Sequence, residues 1–412
     1  MPPHTGSKTL HKAFKGLHSD MQRSFAECRL KQLEPTVKTV DSFMQLPLPA
    51  DMRQQLLSSK GSVSSSEYFP EKIQHHILNE QSTAITYKFN VGDRNVVLHF
   101  VVFNKRKPNL NMDKMLERAK RVCALLHLLS ANARATCSAT LNIFIYMTEF
   151  KKLFPATKGE ALDTEHANTG MSYHCAKNND VIVYRDQEWF KVLVHELFHA
   201  LGLSFIESDM PRGVDAAMQT MLKKTYAISH SVRMYETYCE IWARILNVVF
   251  ACFTDGDANH VDPEVELAIF GECVTKGLRK DAEFALHQCA KIMRYMDIPY
   301  AVIVNPTKEN RAIVAEKYSE NTNVFAYYVL TCALQHSPEL FLEWCYKNNP
   351  FTGKKPRENI MQFRTIPSNF NGFAELLHHC KHRCPDPQPI MLSANDIAGS
   401  SMRMTTPQTR NE

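Results

Sequence analysis

Between residues 187 and 203 the chain is apolar around almost the whole turn of a helix, yet it carries His195, Glu196 and His199 in its middle. Trp189, Phe190, Val192, Leu193, Val194, Leu197, Phe198, Leu201 and Leu203 leave no polar face, which predicts a central, buried helix. Buried ionisable groups are costly unless they are paired or bind a metal. Two histidines four residues apart stand on one helical face, so both rings can reach one tetrahedral zinc at about 2.0–2.1 Å. From the position after the first histidine, Glu196 does not easily join that shell. Its carboxylate can instead reach a water on the metal and act as general base.

Zinc needs a third protein ligand. Gly202 extends the pattern to His-Glu-x-x-His-x-x-Gly, but Phe205 stands where a metzincin requires its third histidine, so a carboxylate elsewhere is expected. Glu207 and Asp209 follow on a loop. Glu236 and Glu240 lie on a second expected helix, with Ser229 or Ser231 as N-cap and an apolar stripe from Ile241 to Phe250. Being four apart, these two share a face, so one of them can bind the metal while the other orients a ligating histidine.

The His-Glu-x-x-His helix, followed after an irregular insert by a helix with Glu-x-x-x-Glu, resembles the gluzincin metallopeptidases. The run Asn168 to Tyr173, then Ile182 to Arg185, Glu188 to Val192 and Thr322 to Tyr328 is more narrowly similar to metallopeptidases encoded by large nucleocytoplasmic DNA viruses. The resemblance covers roughly residues 85 to 350. It implies one zinc held by His195, His199 and Glu236, with Glu196 as base, and it names no substrate. The interval from His199 to Glu236 is longer than in compact gluzincins.

A chain of 412 residues with 44% hydrophobic content can bury a large core, and no apolar run is long enough to span a bilayer. The first residues lack a signal-peptide core, and the twelve cysteines show no disulfide framework, so they are read as reduced and the setting as cytosolic or nuclear, which the viral resemblance would make host cytoplasm, nucleus or virion. A net charge of +5 is too small at this length to imply a nucleic-acid partner. The basic clusters Lys105-Arg106-Lys107, Lys223-Lys224 and Lys354-Lys355-Pro356-Arg357 read as solvated turns.

The expected fold is α+β and zincin-like: a small mixed sheet packed on the His-Glu-x-x-His helix, followed by a helical lobe. Residues 1–66 read as a helical or flexible extension ending in a Ser-rich linker, 67–384 as the catalytic domain with its sheet lobe up to about 186, and 385–412 as a disordered tail. Residues 84–89 and 95–103 form a hairpin, 112–131 a helix, and 141–146 and 181–184 strands. Asn168 and Gly170 mark an edge strand that can pair with an extended substrate backbone. Tyr327, Tyr328 and His230 are candidate donors to an oxyanion. The run His378 to Cys384 holds metal-type residues but lacks the paired spacing of a structural zinc module. These features point to a zinc-dependent peptidase acting on peptide or protein; the oligomeric state is left open. A catalytically inert scaffold that binds a host protein, or a zinc hydrolase of a non-peptide amide, would share the motif.

Overall fold

The computed structural model describes residues 5–58, 68–103, 110–255, 262–350, 360–386 and 397–406. The architecture is mixed α+β, and the chain divides into two compact units. One consists mainly of residues 19–152 and 168–202, the other of 1–18, 153–167 and 203–406.

The first unit is built on an open sheet with strands β1 (Thr36–Val40), β2 (Ser82–Val91), β3 (Arg94–Phe103), β4 (Thr140–Met147), β5 (Gly170–Ser172) and β6 (Asn178–Val183). Their order is β1-β2-β3-β4-β6-β5; β3, β4 and β6 run parallel and the other pairings are antiparallel. Alternation along the central strands divides the core into two layers. Phe144 and Tyr146 of β4, Ile182 of β6 and the following Tyr184 join a buried cluster with Leu46, Met52, Phe69 and Ile73, from the segment that includes helices Ala50–Ser58 and Glu71–Asn79. Helix Met112–Ser130 packs against β2, and helix Trp189–Ala200 against β5 and β6.

The second unit is largely helical. Helix Met234–Cys252 is buried from Met234 to Phe250 and packs against helix Pro263–Tyr295, the π-helical turn Phe325–Leu330 and helix Thr331–Gln335. Helices Val214–Thr225, Lys308–Lys317, Pro338–Asn348 and Pro367–Lys381 complete its main elements. Among the described residues, no helix is long and apolar enough to cross a membrane.

Several sequence expectations change. The stretch read as an N-terminal extension supplies strand β1 and core residues Val40, Leu46 and Met52. Strand β1 escapes periodicity because four of its five residues are exposed at the sheet edge. The tail is not wholly unstructured: Ile397, Met402 and Met404 are buried, and Phe154 donates its backbone N–H to the Ser400 carbonyl at 2.9 Å. Three apolar anchors outweigh a polar composition there. The cysteines are not uniformly reduced, since Cys137 pairs with Cys175 and Cys252 with Cys273. The paired residues are 38 and 21 apart in sequence, so only folding brings them together. Helix Met234–Cys252 is preceded by Arg233 as N-cap, not by Ser229 or Ser231, and no side chain caps it. The linker over residues 59–66 and the clusters at 105–107 and 354–357 lie outside the described residues.

Candidate metal centre

His195 and His199 sit on helix Trp189–Ala200, all of whose residues are buried. Their Nε2 atoms face each other at 3.3 Å, and the rings meet at 61° with centroids 5.1 Å apart. This pair is a candidate metal site. Glu196, 8% exposed, accepts a hydrogen bond at Oε2 from the Ser172 hydroxyl at 2.8 Å; the same hydroxyl lies 3.0 Å from the Glu196 carbonyl. Ser172 belongs to the edge strand β5, so the sheet holds the carboxylate as well as the helix.

Both ends of the helix are fixed. At its N-terminus Glu188 adopts φ 61° and forms an ion pair with Lys152, both side chains being fully buried. At the C-terminus the chain leaves through Gly202 at φ 64°, a left-handed conformation that suits glycine. A Cβ at Gly202 would stand 3.0 Å from Cys137 Sγ, so the Cys137–Cys175 disulfide leaves room for glycine alone without rearrangement. The last carbonyls are satisfied: His199 accepts from the Cys175 N–H at 3.1 Å and Ala200 from the Ser138 hydroxyl at 2.7 Å.

The expected substrate strand looks different in detail. β5 is the sheet edge and begins at Gly170, but a Cβ on Gly170 would meet the Ile182 carbonyl at 2.8 Å, Val192 Cγ1 at 2.9 Å and Glu196 Cγ at 3.0 Å. Gly170 therefore admits the helix rather than a peptide. Asn168 is buried, precedes the strand, and its carbonyl accepts from Arg185 Nε at 3.1 Å. Tyr173, just beyond β5, is 49% exposed; its hydroxyl donates to Asp51 at 2.7 Å, which pushes its pKa up to about 12.

The expected carboxylates lie in the second unit. Glu236 is buried and accepts a hydrogen bond from the Tyr327 hydroxyl at 3.1 Å. Tyr327 sits on the π-helical turn, a local distortion common at functional sites. Glu240, the other carboxylate of that helix face, accepts a hydrogen bond from Arg244 Nε at 2.9 Å. Arg244 in turn bonds Gln335 at 2.7 Å and lies 3.9 Å from Asp281, a buried polar network within this unit. Tyr328 donates to the Met402 carbonyl, a packing role that replaces the oxyanion expectation. His230 stacks on Tyr318 and lies 3.2 Å from Glu320. Glu207 pairs loosely with Arg233 at 3.7 Å, and Asp209 accepts from the Ile206 N–H at 3.1 Å. Phe205, where a metzincin would place histidine, packs among Phe363, Phe370 and Tyr235.

Sequence reading missed Ser172, Lys152 and Cys239. A short strand and a lone lysine carry no periodic signal, and Cys239 stands among residues that read as ordinary helix packing. No family profile, curated protein or solved structure matches the chain.

Proposed function

We propose that this protein is a zinc-dependent metallopeptidase in which His195 and His199 bind one zinc and Glu196 is the general base. The observation that carries this reading is the 3.3 Å separation of the two Nε2 atoms. Two nitrogens each about 2.0–2.1 Å from a tetrahedral ion lie about 3.3–3.4 Å apart, so the rings fit zinc without moving. A core helix with no metal would have little reason to bury three ionisable side chains in its middle. With this chemistry goes a zincin-like arrangement, in which the sheet and the histidine helix frame the metal and the substrate is a peptide or protein.

The third ligand is proposed to be Glu236, whose carboxylate is held by Tyr327, the kind of contact that orients a ligand. Cys239, buried on the same helix, is the alternative donor. Zinc, when bound, would polarise the scissile carbonyl and lower the pKa of its water toward about 7. Glu196 takes the water proton and returns it to the leaving amine, while Ser172 keeps the carboxylate aimed. The Glu240 network serves stability.

Elemental analysis of the full chain tests this, together with proteomic detection of cleavage in cell lysate. His199→Ala is expected to remove one zinc per chain and the cleavage. Glu236→Ala should abolish tight zinc binding. Glu240→Ala should keep zinc but cost about 1.5–3 kcal/mol in denaturant unfolding, because Arg244 loses one charged hydrogen bond and keeps Gln335. Unchanged zinc in His199→Ala sinks the site; loss at Cys239→Ser but not at Glu236→Ala moves the third ligand. Zinc without any cleavage favours the inert scaffold.

A further inference from the structure

We propose a second metal site, structural rather than catalytic, in which Cys332, His336 and Cys384 hold a zinc ion with Cys289 as fourth ligand. All four residues belong to the helical unit. A ring nitrogen of His336 and the sulfurs of Cys332 and Cys384 lie within 4.8 Å of one another. The two sulfurs are 3.8 Å apart.

These distances suit a metal better than the alternatives. With Zn–S about 2.3 Å, tetrahedral geometry puts two sulfurs about 3.8 Å apart. A disulfide needs its sulfurs at about 2.05 Å, so Cys332 and Cys384 are not bonded, and the three cysteines of the set are free thiols. Thiols are weak hydrogen-bond donors and acceptors, so a cluster of them gains little from mutual contact. His336 Nδ1 lies 2.9 Å from the Cys332 carbonyl oxygen. A carbonyl only accepts, so the ring donates there and its other nitrogen carries the lone pair, the arrangement in which metal-bound histidines are held. Cys289 is fully buried and in hydrogen-bond contact with Cys332. Its sulfur lies outside the group of three, so it must turn about its Cα–Cβ bond to complete a set of three thiols and one imidazole, a closed set with no position left for a reacting water.

The placement explains what such an ion does. Cys289 lies on helix Pro263–Tyr295, Cys332 and His336 on and just after helix Thr331–Gln335, and Cys384 just beyond helix Pro367–Lys381. One ion ties three helices that are far apart in sequence. Cys384 and His336 are partly exposed, which gives the ion a way in. The histidines before Cys384 lie outside the group: His378 faces Thr225, His379 bonds the Glu375 carbonyl, and His382 meets the His378 ring. The metal-type run His378 to Cys384 thus contributes one residue to a site completed by a Cys-x-x-x-His pair upstream. Each ligating thiol releases its proton on binding.

The test uses the full chain carrying His195→Ala and His199→Ala, handled anaerobically and loaded with zinc or cobalt, so its result is independent of the first site. One tightly held zinc per chain is expected, and the cobalt form should show thiolate-to-metal charge-transfer absorption. Adding Cys332→Ser and Cys384→Ser should remove both. No retained metal, a cobalt spectrum without the thiolate band, or zinc that survives the two serine substitutions would overturn the proposal. If the serine variants fail to fold, the cobalt spectrum of the cysteine-intact chain decides.

Discussion

Replacing Glu196 with glutamine is expected to lower hydrolysis about 10²–10⁴-fold while leaving the metal bound by His195 and His199 in place. The substitution changes almost nothing but basicity. Glutamine keeps the shape of the side chain, and its carbonyl oxygen can still accept the Ser172 hydroxyl that now donates to Oε2 at 2.8 Å. Helix packing against Gly170 and β5 is preserved for the same reason. What is lost is an atom able to take a proton from water. Single-turnover cleavage of a peptide found in lysate, measured beside zinc content, separates the outcomes. Equal turnover would show that the base lies elsewhere, and lost zinc would put Glu196 in the coordination shell. Ser172→Ala should be milder, since a positioning hydrogen bond goes while the base remains, and rescue by threonine would distinguish this from loss of packing.

The parts of this site that were legible in sequence are those carried by one helix. His195, Glu196 and His199 follow from spacing on an apolar wheel, and the fold sets the two imidazole Nε2 atoms 3.3 Å apart. The hairpin β2–β3, strands β4 and β6 and helix Met112–Ser130 were equally readable, because alternation and the helical repeat mark them directly. What remained hidden depends on partners distant in sequence. Glu240 and a histidine-orienting carboxylate look alike on a wheel, and only the fold reveals that Glu240 bonds Arg244. Gly170 reads as an open strand position until Val192 and Glu196 are seen pressed against it. Likewise Cys384 reads with its histidine neighbours, although its contacts are with Cys332, 52 residues upstream.

Lys152→Ala is expected to destabilise the sheet-bearing unit by about 3–5 kcal/mol, the cost typical of removing one member of a buried ion pair. Lys152 and Glu188 are both fully buried in this unit, so the substitution takes the ammonium away from a carboxylate that water does not reach. Glu188 also begins the histidine helix in a left-handed conformation, φ 61°, that a non-glycine residue holds only when its surroundings enforce it. The side chain of Gln187 accepts the Lys152 backbone N–H at 2.9 Å, so the two segments are clamped at adjacent residues. Losing the ion pair should therefore loosen the start of the helix as well as lower stability, and zinc affinity at His195 and His199 should fall with it. The double variant Lys152→Met with Glu188→Leu separates charge from packing: with no charge left buried, most of the stability should return. Denaturant unfolding of Lys152→Met, Glu188→Leu and the double, monitored with zinc removed, reads the coupling directly. If the singles cost no more than an exposed pair, under about 1 kcal/mol, the pair does not anchor the helix.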